Sequence, residues 1–162
     1  GDGDPTSYLG ATGIGLYTYK NTLEVTVHVK EDGRQFGCRS LAYSFTLPKE
    51  LSFDDFVKIT VTDLGDRILV HAEGTLLCTI LLSDVGEMST NMWTGISYRH
   101  AEIRDASGAT VLTADNCIVP LEGNFAVTER ANTFWIDHIT VRQHAYEILR
   151  GEYTLLEDEL GL

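Results

Sequence analysis

FVKITVTDLGDRILVHAEGTLLCTILLS, from Phe56 to Ser83, is the stretch on which the fold turns. Val57, Ile59 and Val61 alternate with Lys58, Thr60 and Thr62. A period of two places three branched apolar side chains on one face of a strand and three polar ones on the other. Asp63-Leu64-Gly65-Asp66 follows as turn chemistry, with Gly65 able to take a positive φ. Ile68-Leu69-Val70 restarts a strand, Glu73-Gly74 makes the next tight turn, and Leu76 to Leu82 returns. The stretch therefore predicts an antiparallel meander of three strands, apolar enough for the middle of a sheet.

Outward from the meander the same grammar repeats. Upstream, Leu23, Val25, Val27 and Val29 alternate with Glu24, Thr26, His28 and Lys30, a half-buried strand closed by Glu31-Asp32-Gly33. Gly13-Ile-Gly-Leu-Tyr-Thr-Tyr leads into it. Leu41, Tyr43, Phe45 and Leu47 mark another strand, stopped by Pro48. Leu51 to Asp55 reads as a short helical turn capped by Ser52. Downstream, Asp84 to Asn91 reads as a polar loop and Trp93 to Arg104 as one long strand or a strand pair. Thr110 to Leu112, Cys117 to Leu121 and Phe125 to Val127 read as short strands separated by Asp115-Asn116 and Glu122-Gly123. Phe134 to Arg142, FWIDHITVR, reads as a last strong strand. Short strands with Gly and Asp turns and almost no helical period predict an all-β fold, an antiparallel sandwich or barrel, with the two-sheet antiparallel sandwich as the leading expectation. Val25, Val27, Phe45, Ile59, Val61, Ile68, Val70, Ile80, Ile139 and Val141 are its expected core, with Trp135 on the face of Ile139 and Val141.

Residues 1–142 then form the sandwich domain, opened by a loose Gly/Asp/Pro/Ser arm over 1–8, and residues 143–162 a tail or linker. Ala145, Ile148 and Leu149 suggest a short helix or strand in that tail, followed by the acidic cluster Glu157-Asp158-Glu159. The opening Gly1-Asp2-Gly3-Asp4, without Met, reads as a processed or excised piece of a longer chain with neighbouring domains.

The chain is 162 residues long and 43% hydrophobic, enough for a core without staples. Its net charge of -12, with Lys and Arg scattered, argues against nucleic acid and anionic lipid as partners. Its apolar runs fall far short of the about 20 residues a membrane-spanning helix needs, so no membrane insertion is expected. Cys38, Cys78 and Cys117 are too few and too far apart for a disulfide framework or a zinc knuckle, although one disulfide with one free thiol stays open. Cys78, inside LLCTILL, reads as a small core residue. His28, His71, His100, His138 and His144 show no zinc-binding spacing. There is no nucleophile elbow, and Gly13-Ile-Gly lacks the helix that a phosphate loop opens. A nucleophilic Cys117 would need a His and an acid beside it.

Three pieces together resemble the concanavalin A-like lectin and glucanase superfamily. They are the entry GIGLYTYKNTLEVTVHV, the meander around Gly65-Asp-Arg-Ile-Leu-Val and Glu73-Gly74, and the segment Phe134-Trp-Ile-Asp-His-Ile-Thr-Val-Arg. The last is similar to the closing strand of the laminarinase-like members, with Asp137 before Ile139 and Val141. The resemblance implies a jelly roll that binds glycans on its concave face or at the loops of one edge. It also implies a structural calcium at Asp137, with Asp2 and Asp4 as contributors; an Asp paired to backbone or Arg at a strand edge is the other reading. The catalytic Glu-x-Asp-x-x-Glu of the laminarinase-like enzymes is missing, so the expected member is non-catalytic.

The densest aromatic and polar group is Trp93, Tyr98, Arg99 and His100, with Tyr17 and Tyr19 in reserve. Aromatic rings can stack on sugars while Arg and His donate to hydroxyls. Trp93 packed in a core with Arg99 and His100 solvated is the other reading. The leading expectation is a non-catalytic carbohydrate-binding or accessory module of a secreted or surface bacterial polysaccharide-processing protein, extracellular, with a glycan as partner. A structural or interaction sandwich without a sugar site, and a glycoside hydrolase or lyase with dispersed acids, are the alternatives.

Overall fold

The computed structural model describes residues 12–34, 36–52, 54–123, 125, 127 and 135–141, and the backbone of Tyr146–Leu149 and Glu152–Leu155. All regular structure in these residues is β. In chain order the strands are β1 (Ile14–Tyr19), β2 (Thr22–Lys30), β3 (Cys38–Thr46), β4 (Ile59–Asp63), β5 (Arg67–Ala72), β6 (Thr75–Ser89), β7 (Thr94–Asp105), β8 (Thr110–Pro120), β9 (Tyr146–Leu149) and β10 (Glu152–Leu155). The predicted meander is β4, β5 and the first half of β6, paired antiparallel with Val61 opposite Val70 and Ile68 opposite Ile80. Gly65 has φ 91°, and Glu73 and Gly74 have φ 51° and 76°. Two successive positive φ values match the right-handed twist of the hairpin they close.

One antiparallel eight-stranded sheet runs β1-β2-β8-β7-β6-β5-β4, with β3 on the far edge of β2. β1 covers β2 from Thr22 to Val27, and β8 takes over the same edge at Val29, opposite Cys117. Gly13 joins the fork. With φ 91° it donates its N–H to the Ile118 carbonyl at 2.5 Å, and its carbonyl accepts from the His28 N–H at 3.2 Å. Because the sheet curls, Leu23, Val25, Val27 and Val29 of β2 share one core cluster with Val70, Ile80, Leu82, Ala101, Ile103 and Val119. Each large side chain so buried contributes roughly 1.5–3 kcal/mol. A smaller cluster, Cys38, Met88 and Ile118 with Phe36 and Trp93 against it, lies on the other face of β2–β8.

Several expectations are corrected. Asp84 to Ser89 is not loop: β6 carries on to Ser89, paired with β7. Asp115-Asn116 is not a turn between two strands but the middle of β8, because the ladder to β7 continues on both sides. No helical turn forms at 51–52 and 54–55. Val61 points to the core side but is 48% exposed, since β4 is an edge strand of the sheet. Residues 135–141 form no strand, and Trp135, Ile139 and Val141 are 63%, 52% and 75% exposed, so they are not core. Phe125 and Val127 are likewise exposed and outside any strand. Phe134 and Arg142, the arm over 1–8, Ala145 and the acidic cluster at 157–159 lie outside the described residues. In the tail, β9 and β10 pair as a hairpin.

Candidate functional site

At one level of the sheet three neighbouring strands are irregular together. On β6, Asp84 has φ 57°; on β8, Asn116 has φ 56°. On β7 the register to β8 shifts between Tyr98 and His100, so that the three residues from Tyr98 to His100 face the five from Asp115 to Val119. Left-handed backbone is costly for side chains with a Cβ, and short polar Asp and Asn are among the few that accept it. The irregularity also changes which residues face the core. Ala101 and Ile103 pack there at odd positions, but below the shift it is Tyr98; Ala114 packs there, and then Cys117 and Val119. Bulges of this kind re-aim side chains and occur beside functional sites.

Ser97 repairs the broken ladder from beneath. It is fully buried, and its Oγ accepts the Val119 N–H at 2.7 Å. Its proton has two carbonyls within reach, Tyr98 at 2.8 Å and Cys117 at 3.2 Å. The backbone groups that the bulge would otherwise strand in the interior are thereby satisfied.

The re-aimed side chain is Arg99. Its Nη2 donates to Asp84 Oδ1 at 2.8 Å and its Nε to the Asp84 carbonyl at 3.4 Å. The guanidinium lies across Gly86: a Cβ there would stand 2.7 Å from its central carbon. His100 Nδ1 lies 2.7 Å from Asp115 Oδ1. Around Arg99 opens a shallow pocket of about 410 Å³, lined by Lys30, Asp84, Glu87, Met88, Arg99, Asp115 and Asn116. Lys30 arrives from the end of β2, where it also sits 3.6 Å from Asp32. Three carboxylates, two cations and one amide thus surround one small space. Such a wall offers donors and acceptors side by side, which suits a neutral ligand rich in hydroxyls better than a lone anion or cation.

The expected quartet is divided. Arg99 lines this pocket, and His100 reaches it through Asp115. Tyr98 packs against the main core instead. Trp93 is half-buried against Cys38, Met88 and Ile118, and its indole lies over Gly95, where a Cβ would come within 2.6 Å of the ring. An aromatic laid on a strand glycine shields bare backbone. Tyr17 and Tyr19 sit elsewhere, on β1, 40% and 54% exposed. Asp137 is exposed with its carboxylate 3.0 Å from His138, and Asp2 and Asp4 lie outside the described residues. Among the described residues no group of three or more His, Cys, Asp or Glu side chains is placed to hold a metal ion.

Cys38, Cys78 and Cys117 are all buried. Burial pushes the Cys78 thiol up to about 11. Burial, with the nearby Asp115 charge, pushes that of Cys117 up to about 12. Cys117 is wholly buried and its Sγ donates to the Ala114 carbonyl at 3.2 Å, the setting of a structural thiol rather than a reactive one. Sequence reasoning missed Asp84, Glu87, Asn116 and Ser97. The Asp-Asn pair inside an apolar alternation, read as a turn, was the available signal. Comparisons with protein-family models, curated proteins and solved structures find no match to this chain.

Proposed function

We propose that the chain is a non-catalytic carbohydrate-binding or accessory module, a two-sheet jelly roll of the concanavalin A-like kind, within a secreted or surface polysaccharide-processing protein. The observation that carries this reading is the pocket around Arg99, where fixed donors and acceptors meet in a row of bulges. Asp84 and Asn116 hold strained backbone there, and strain concentrates where geometry serves a ligand. The two-sheet description is supported by the narrow join between β1–β3 and the rest of the sheet, which consists of the ladder pair Val29 and Cys117 beside the Gly13 to Ile118 hydrogen bond. Hydroxyl groups of a pyranose would accept from Arg99 and Lys30 and donate to Glu87 and Asp115.

A glycan array followed by titration calorimetry tests this. A single sugar unit is expected to bind with Kd on the order of 1 mM, about 4 kcal/mol. Arg99→Ala, on a partly exposed side chain, leaves the melting temperature nearly unchanged and weakens that binding at least about tenfold. Absence of binding to any glycan at millimolar concentration would overturn the reading. A sandwich devoted to protein contacts would then be favoured by the exposed Trp135, Ile136, Ile139 and Val141. Turnover of an array-positive glycan would instead mark an enzyme with dispersed acids.

A further inference from the structure

The charges around Arg99 are not equally available. Arg99 gives its Nη2 to the Asp84 carboxylate and its Nε to the Asp84 carbonyl. Nη1, lying over the bare backbone of Gly86, is the nitrogen these bonds leave to a ligand. Lys30 sits 3.6 Å from Asp32. Asp115 has His100 at 2.7 Å on one of its two oxygens. Glu87 differs from all of these. Its side chain is exposed, and among the described residues no hydrogen bond or ion pair engages its carboxylate. Each cation of the pocket therefore has an acid of its own, and one acid has no cation.

An ionised carboxylate only accepts hydrogen bonds, and both oxygens of Glu87 are free to do so. Glu87 lies opposite Ile96 on β7 and also borders a second shallow hollow, of about 440 Å³. A ligand group can reach it from either hollow. The field of the whole chain acts in the same direction, since a net charge of -12 draws cations and repels anions. What the pocket lacks is a positive charge with hydrogens to give.

We propose that the ligand of the Arg99 pocket is an amino sugar, whose protonated amine is held by Glu87 while its hydroxyls meet Arg99, Asp115 and Asn116. This rests on the carbohydrate reading and narrows its ligand class. An ammonium offers three hydrogens and a charge, where a hydroxyl offers one hydrogen and no charge. A hydrogen bond between two ionised partners is shorter and stronger than a neutral one. N-acetylation removes the charge that Glu87 would meet. A uronic acid would set a second carboxylate against it, and like charges repel.

Calorimetry at pH 7 and low salt tests this with glucosamine, N-acetylglucosamine and glucose, and with their galactose counterparts. Within each series the ring is the same and one substituent changes from amine to acetamide to hydroxyl. The amino sugar is expected to bind about fivefold tighter than the other two, and the preference should fade in about 0.5 M salt as the charges are screened. Glu87→Gln is expected to erase the preference. Glu50→Gln removes the same charge next to Leu51, which bonds to Lys20 in the β1–β2 turn, and is expected to keep it. Equal affinity across each series, or a preference that survives Glu87→Gln, would overturn the amine assignment and leave a neutral-sugar pocket standing. A preference lost equally in Glu50→Gln would also overturn it, because net charge rather than Glu87 would be the source. Absence of binding to every sugar, in this series and on the glycan array, would overturn the carbohydrate reading together with this one.

Discussion

Two rows of the same three strands make opposite use of β structure. In the upper row Ile80, Ile103 and Leu112 stand opposite one another, with Ile80 and Ile103 wholly buried and the β7–β8 register shifting only beyond them, between Ile103 and Arg104. In the lower row Asp84, Arg99 and Asn116 occupy the corresponding places, with two left-handed residues and a register shift. The upper row removes apolar surface from water, and any side chain of similar size and shape would serve. The lower row gives up regular pairing and gains an aimed guanidinium. The cost is contained because Ser97 meets the displaced backbone groups and Asp and Asn accept the φ. Stability and the geometry of the proposed site are thus separated by only a few residues along each strand, and substitutions should divide the same way.

The largest effect is expected from the upper row. Ile103→Ala removes a fully buried side chain between Ile80 and Leu112 and should cost about 2–5 kcal/mol in urea unfolding. Glycan affinity of the folded fraction should not change. If affinity falls in step with stability, the two rows are not separable.

The lower row should respond to backbone chemistry. Asn116→Val puts a β-branched residue at φ 56° and should cost about 1–2 kcal/mol. Asn116→Gly relieves the same strain and should hold stability within about 1 kcal/mol of the wild type. A harmless Asn116→Val, by the same urea titration, would mean that the row is not held in the left-handed conformation.

The smallest effect sharpens the contrast with acid. Glu102, beside Ile103 on β7, has its carboxyl held down to about 2, first by the hydrogen bond from Arg104 and then by that from Thr110. Nη2 and Nε of Arg104 reach its two oxygens at 3.2 Å and 2.8 Å. The folded value lies below the ordinary 4.5. Its contribution is therefore complete above about pH 4.5 and is lost as pH falls toward 2. Melting temperature followed across that window should decline less steeply in Glu102→Gln than in the wild type. Equal acid slopes would show that other carboxylates control acid stability.

Local pattern was legible from residues alone wherever neighbours along the chain decide the outcome. The alternation of Leu23 to Val29, the meander and the Glu73-Gly74 turn all emerge from period and turn chemistry. Arg99 and His100 could be picked out as polar residues among aromatics, but not their partners. Asp84 comes from β6 and Asp115 and Asn116 from β8, and only the pairing of both strands with β7 brings them to Arg99. Asp115-Asn116 carries the composition of a turn. The ladder of β7 held the chain extended on both sides, so the same left-handed preference became a bulge. Val61 and Ile139 show the same limit from the apolar side. Alternation assigns a side chain to a face of a strand, and whether anything covers that face depends on which strand ends up at the edge.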